Sequence, residues 1–206
     1  MPNDDYARGL IPINRNINYA HYYRASTGAD IFLGGTLILN ASGLVGNSSA
    51  ATIGVENLIG VAIGFSGPQK RGLATEDPYL DASDLTTLAA GLETGDRFVL
   101  VADDPDQEFF VQEDTGGTAL ALADVGAAIA IVYRSTDSGN VTSGWSRSEI
   151  DASGVVTTTG AQLQILRLHD NINNDGTDNA VGDYAKWVVK ILHHQRGGAA
   201  NAAPIV

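Results

Sequence analysis

From Asp30 onward the chain is a succession of short apolar runs, rich in Ile, Leu and Val, cut at close intervals by Gly, Asn, Ser and Asp. Short runs with period-two alternation and frequent turn residues predict β-strands joined by tight connections. The segments DIFLGGTLIL, NLIGVAIGF, DRFVLVAD, QEFFVQE, AAIAIVYR, AQLQILRLH and YAKWVVKILHH carry that signature. In the last of them Trp187, Val189 and Ile191 alternate with Lys186, Val188 and Lys190, so one face is apolar and meets a core while the other carries two cations. In AQLQILRLH the alternation holds through Leu163 and Ile165 and slips at Leu166 and Leu168, which predicts a bulge or a strand end buried on both sides. Helix is confined to SDLTTLAAGL, 83–92, where Ser83 or Asp84 can cap a short turn that stops near Gly91.

The pattern therefore predicts an all-β protein built from small β-barrel or β-sandwich lobes, with an extended N-terminal arm and little helix. Residues 1–24 form the arm, 25–102 a first β-rich lobe, 103–198 a second β-rich lobe with a long hairpin loop, and 199–206 a flexible tail. The acidic turn DDPDQE, 103–108, marks the boundary between lobes, and GPQKRGLATEDP, 67–78, reads as a loop or connection.

The arm has a composition of its own. MPNDDYARGLIPINRNINYAHYYR holds four of the seven tyrosines and three arginines, and its formal charge of +1 leaves the other 182 residues at −13. Two readings stay open: the arm serves a partner, or it packs on its own domain or stays unstructured. For the first, Tyr19, Tyr22, Tyr23 and Arg24 are the candidate interface residues, because Tyr and Arg dominate the energetic centres of interfaces.

Charge narrows the partners. A chain of 206 residues at −12 repels phosphate backbones and anionic membranes over a Debye length of roughly 10 Å, so neither nucleic acid nor membrane is an expected partner. The absence of cysteine excludes disulfides and thiolate metal sites. The most apolar run, VGAAIAIVY, is far shorter than the roughly 20 residues of a membrane helix, and MPNDDYARGL lacks the pattern of a signal peptide; the expectation is a soluble, unexported chain. The sequons at Asn40, Asn47 and Asn140 carry little weight in a sequence this rich in Asn, Ser and Thr.

Chemical motifs are sparse. In NINNDGTDNAVGD, 171–183, Asn171, Asn173, Asp175 and Gly176 match the opening of a calcium loop, but position 12, where a bidentate glutamate belongs, is Gly182. A long hairpin connection whose Asn, Asp and Gly tolerate left-handed backbone accounts for it better. His193 and His194 are adjacent in a predicted strand and point to opposite faces, so they do not share an ion. No GxSxG elbow is present, and Ser146 in GWSRSE has no base in its sequence neighbourhood. GGTLILNASGLVG has neither P-loop nor dinucleotide-binding order. The acidic residues Asp103, Asp104, Asp106, Glu108, Glu113 and Asp114 read as a solvated face rather than as a catalytic carboxylate pair. Trp187 reads as core, which leaves Trp145 without a partner for a sugar-stacking platform. No catalytic residue, cofactor site or metal site is expected.

Four pieces in order, DPDQEFFVQEDTGGTALALADVGAAIAIV, SGWSRSEIDAS, LQILRLHDNINND and GDYAKWVVKILHH, resemble a family of virion structural proteins of tailed bacteriophages, the head decoration or cement proteins. The resemblance covers roughly 96–194. ADIFLGGTLILNASGLV followed by NLIGVAIGF is similar, more weakly, to the small β-barrel of other phage decoration proteins. The resemblance implies a β-rich homo-oligomer, dimer or trimer, on the outer capsid surface of a virion, where it holds the major capsid protein in place; it implies no catalytic residue. The alternative is a carbohydrate- or receptor-binding β module of a phage tail or a secreted protein, calcium-assisted through its acidic loops. A hydrolase using an acidic pair comes third.

Overall fold

A computed structural model describes residues 3, 5–13, 20–25, 30–48, 57–66, 79–81, 98–132, 139–156, 161–170 and 177–196. The predicted helix at 83–92, the connection 67–78, Tyr19, the first half of the 171–183 loop and the tail lie outside the described residues.

The protein is all-β, as the alternation predicts. Among the described residues eleven strands run β1 Ile11–Pro12, β2 Ala20–Arg24, β3 Thr36–Leu39, β4 Val45–Asn47, β5 Gly60–Ser66, β6 Phe98–Ala102, β7 Glu108–Gln112, β8 Ala128–Val132, β9 Glu149–Val156, β10 Leu163–Leu168 and β11 Lys186–Ile191. They form two antiparallel sheets, one of six strands in the order β1-β7-β11-β10-β8-β9 and one of five in the order β2-β6-β5-β3-β4. The chain crosses from the five-stranded to the six-stranded sheet between Ala102 and Glu108, at the predicted acidic turn.

The slip in AQLQILRLH is a bulge: the β10–β11 register jumps between Ile165 and Arg167, so Ile165 faces Val189, Arg167 faces Val188 and Leu168 returns to Trp187. The extra residue lets Leu163, Ile165 and Leu168 all reach the core from a strand whose strict alternation would turn one of them out. β10 and β11 are joined as a hairpin, which makes the 171–183 stretch its connection.

Two apolar clusters result. The main core lies between the sheets: Phe109, Val111, Ile129, Ile131, Ile150, Leu163, Ile165, Trp187, Val189 and Ile191 from the six-stranded sheet meet Leu58, Val61 and Ala102 on the other side. The second cluster, Leu37, Val45, Ala62, Val99 and Val101 with Ile31 and Leu80, fills the opposite face of the five-stranded sheet. That sheet curls until its two edges meet at one point, a single bridge between Ala25 and Val45 beside β2 and β4. The architecture is therefore sandwich-like, with one sheet bent most of the way round its own core and not closed into a barrel.

The described residues before Ala25 are built into this body. Leu10 is fully buried in the main core, β1 pairs with β7 in one sheet, and β2 pairs with β6 in the other. Asn3 reaches across to the β10–β11 connection, donating to the carbonyls of Ala180 (2.8 Å) and Asp183 (3.0 Å). Of the two readings of the arm, packing on its own domain describes these residues. The crossing depends on two glycines in left-handed backbone, Gly9 (φ 69°) and Gly34 (φ 77°), whose main chains touch: Leu10 N donates to Gly34 O at 2.9 Å, and a Cβ on either glycine would collide with the other strand's backbone.

Candidate functional site

Among the described residues, two polar centres are built on carboxylates that continue the buried face of a strand. In β6, Val99 and Val101 point into the curled sheet, and period two carries Asp103 to the same side. Asp103 is 1 % exposed and gathers three partners. His21 Nδ1–H donates to it at 2.8 and 3.0 Å, the Tyr23 hydroxyl donates at 2.5 Å, and the Arg196 guanidinium closes the set as an ion pair. A carboxylate only accepts, so the His21 tautomer follows from the contact. Burial, then the hydrogen bond to Asp103, pushes the Tyr23 phenol up to about 12.

The chemistry of this cluster is that of a clasp. His21 and Tyr23 come from β2, Asp103 from the end of β6, and Arg196 from the segment after β11, which itself runs back to the five-stranded sheet: Leu58 N donates to His193 O, and Gln195 bonds both backbone groups of Leu39. Asp103 thus ties β2 to Arg196, the last described residue of the chain. Asp103→Asn should cost about 2 kcal/mol in urea unfolding, because it removes the ionic partner while Arg196 and His21, both about half exposed, stay solvated. An unchanged unfolding midpoint would show that the clasp contributes nothing.

The second centre is Glu113, which extends the inward face of Phe109 and Val111 on β7 and is fully buried. Its Oε2 accepts the indole N–H of Trp187 at 2.7 Å, and the main chain of Leu120 lies against the same carboxyl. Burial raises its pKa to about 7, and the neighbouring carboxylates Asp183 and Asp114 push in the same direction. Both oxygens lie within the core, beyond the reach of a substrate. Asp114 is itself buried and accepts Ala152 N at 3.0 Å. On the outer face of β7, Gln112 links Glu149 (2.8 Å), Asp5 (3.0 Å) and the backbone N–H of Tyr6 (2.8 Å).

The reading of the acidic group as one solvated face is corrected here. Asp103, Glu113 and Asp114 are buried, while Asp106 is exposed and Asp104 and Glu108 are partly so. The reason is positional: two of the buried acids are the next inward residues after apolar pairs, and strand geometry carries them inside where donors await them.

The other residues singled out in the sequence fall as follows. Tyr22 is 60 % exposed and Arg24 is exposed, on the same face of the edge strand β2, opposite Leu100 and Phe98. Tyr23 faces the other way, into the clasp. His194 is buried, with Nδ1 accepting Arg196 N at 3.0 Å, and burial holds its pKa below the usual value; His193 is half-buried. Ser146 is buried and hydrogen-bonded to Ser148 (2.9 Å). Trp187 is core, and Trp145 is partly exposed near Arg8, which stacks over Tyr6 at 4.0 Å. Asn179 closes the base of the β10–β11 connection by bonding the backbone of His169 and Lys186. Among the described residues no group of three or more His, Asp or Glu is arranged to hold a metal. No helix among them is long and apolar enough to cross a membrane.

Comparison with protein-family models, with curated proteins and with solved structures returned no match to this chain.

Proposed function

We propose that this chain is a structural protein of a tailed-bacteriophage virion, a decoration or cement protein that binds the major capsid protein on the outside of the head as a dimer or trimer. The observation that carries the reading is the ordered resemblance over 96–194. The outward face of β2 supports it: an edge strand presents Tyr22 and Arg24 beside partly exposed Leu100 and Phe98, and edge strands accept a neighbour's strand. Net charge supports it too, since −12 suits an outer surface better than the DNA side of a shell. The mechanism is linkage. A protein that binds only the assembled lattice stabilises it by its binding free energy, and many copies multiply the effect.

The test is substitution on the exposed face, since deleting residues 1–24 would strip Leu10 from the core and a strand from each sheet. Tyr22→Ser should weaken binding to purified capsid shells at least about tenfold while leaving the melting temperature of the free protein almost unchanged. Undiminished binding removes the β2 face from the mechanism. Purified virions that lack the chain, or calorimetric heat with glycans or calcium, would favour the carbohydrate-binding module instead.

A further inference from the structure

Glu113 sits where three parts of the molecule meet. From the residues just after β7 comes Asp114; from the β10–β11 connection come Asp183 and the main chain of Ala185, whose carbonyl accepts Glu113 N at 2.9 Å; from β11 comes Trp187. From β9 comes Ile150, bridged to Glu113, while the adjacent Glu149 is held by Gln112 and Asp151 by Ser153. The charges that act on Glu113 are acidic. Its Oε1 is buried with no hydrogen-bond partner among the described residues, so ionisation puts half of a carboxylate's charge against apolar surroundings.

The surroundings are also strained. Tyr184 holds a left-handed conformation (φ 62°) between Asp183 and Ala185, a conformation that non-glycine residues resist. On the other side, Leu120 is buried and anchors a loop that then presents Leu122, 64 % exposed, and Val125, 43 % exposed, on a turn closed by Asp124. The loop contains Gly116 and Gly117 and is exposed from Thr115 to Thr118.

We propose that Glu113 is a proton-operated pin: protonated, it sits dry in the core beneath the 114–125 loop, and on losing its proton it draws water inward and loosens that loop with its apolar turn. The carboxyl lies between the loop, at Leu120, and the centre of the sandwich, at Trp187; both contacts favour the carboxylate, and desolvation, the larger effect, outweighs them and drives the opening. The effect on stability follows from the direction of the shift. With the proton bound more tightly in the folded state, at about 7 against an ordinary 4.5, stability falls as pH rises between those values, by about 300-fold in the folding equilibrium, and then levels off.

Trp187 is its own reporter. In a Trp145→Phe background, indole emission should titrate with a midpoint near neutral pH, and the urea midpoint should fall from pH 5.5 to 8.5; in Glu113→Gln the emission should be flat and the urea midpoint should no longer fall, since buried His194 and half-buried His169, with lowered pKa values, favour the fold as pH rises. Identical curves with and without the carboxyl, or a flat titration in its presence, overturn the proposal. Hydrogen exchange on the unaltered chain guards against a variant that fails to fold. Protection of the 118–125 amides, corrected for intrinsic exchange, should drop above neutral pH relative to β10 and β11, and equal protection at pH 6 and 8 would equally sink the pin.

Discussion

Trp187→Ala should destabilise the protein by about 4 kcal/mol or more, placing it among the most damaging single substitutions available in the fold. Trp187 is fully buried at the centre of the main core, on the strand that lies between β7 and β10, with Val111 and Leu168 as its direct cross-strand neighbours. Truncation leaves a cavity the size of an indole in the middle of a sheet whose strands are hydrogen-bonded on both sides, so the walls have little freedom to collapse. It also strips Glu113 of its one side-chain donor. Urea unfolding followed by far-UV circular dichroism measures the loss. A variant within about 1 kcal/mol of the parent would mean that the sandwich core repacks freely, contrary to close-packed interiors.

Gly34→Ala should cost about 3 kcal/mol and free the N-terminal segment. The added methyl meets two obstacles of different kinds: left-handed backbone at φ 77°, and the main-chain oxygens of Arg8 and Leu10, which belong to a segment pinned by Leu10 in the core. Neither obstacle can swing aside as a side chain would. Gly34 is also stitched on its other side, donating to Ala62 O at 2.8 Å. Gly43 is the matched control. Its φ of 74° is nearly the same, yet a Cβ there meets nothing within 4 Å, so Gly43→Ala should cost only about 1 kcal/mol of backbone strain. Thermal melts of the two variants separate strain from collision, and hydrogen exchange at Leu10 reports whether the segment has lifted. Equal losses at both sites would remove the crossing from the account.

Where apolar residues dominate a strand, the alternation revealed both the strand and its inner face, as in KWVVKI, and even the bulge in β10 showed as a slip of phase. The strands that stayed hidden lack that contrast. β9, EIDASGVV, alternates, but its described inward side chains beyond Ile150 include only Ala152, and its first residue, Glu149, is buried on the opposite face by its bond to Gln112. β1 and β4 are two and three residues long, too short for any period to register. β2 is an edge strand with a mixed, half-wet pattern, so its tyrosines and arginine read as an arm instead of as a paired strand. The buried acids were legible in principle. Val99, Val101, Asp103 and Phe109, Val111, Glu113 are each a run of alternate positions, and following the run one step further places each carboxylate inside. Nothing in the sequence, however, brings His21 and Arg196 to Asp103 across the length of the chain, because that meeting is made by topology.

The order of the six-stranded sheet has a bearing on how the polypeptide is born. β11 is the last of the described strands in sequence, yet it lies between β7 and β10. Until those late residues leave the ribosome, β7 and β10 both present open edges to every other nascent chain nearby, and no earlier strand can fill the gap in the native order. Assembly of the main core is thus held back until β11 has been made, and slow codons placed between β10 and β11 should enrich aggregates far more than the same delays placed before β7.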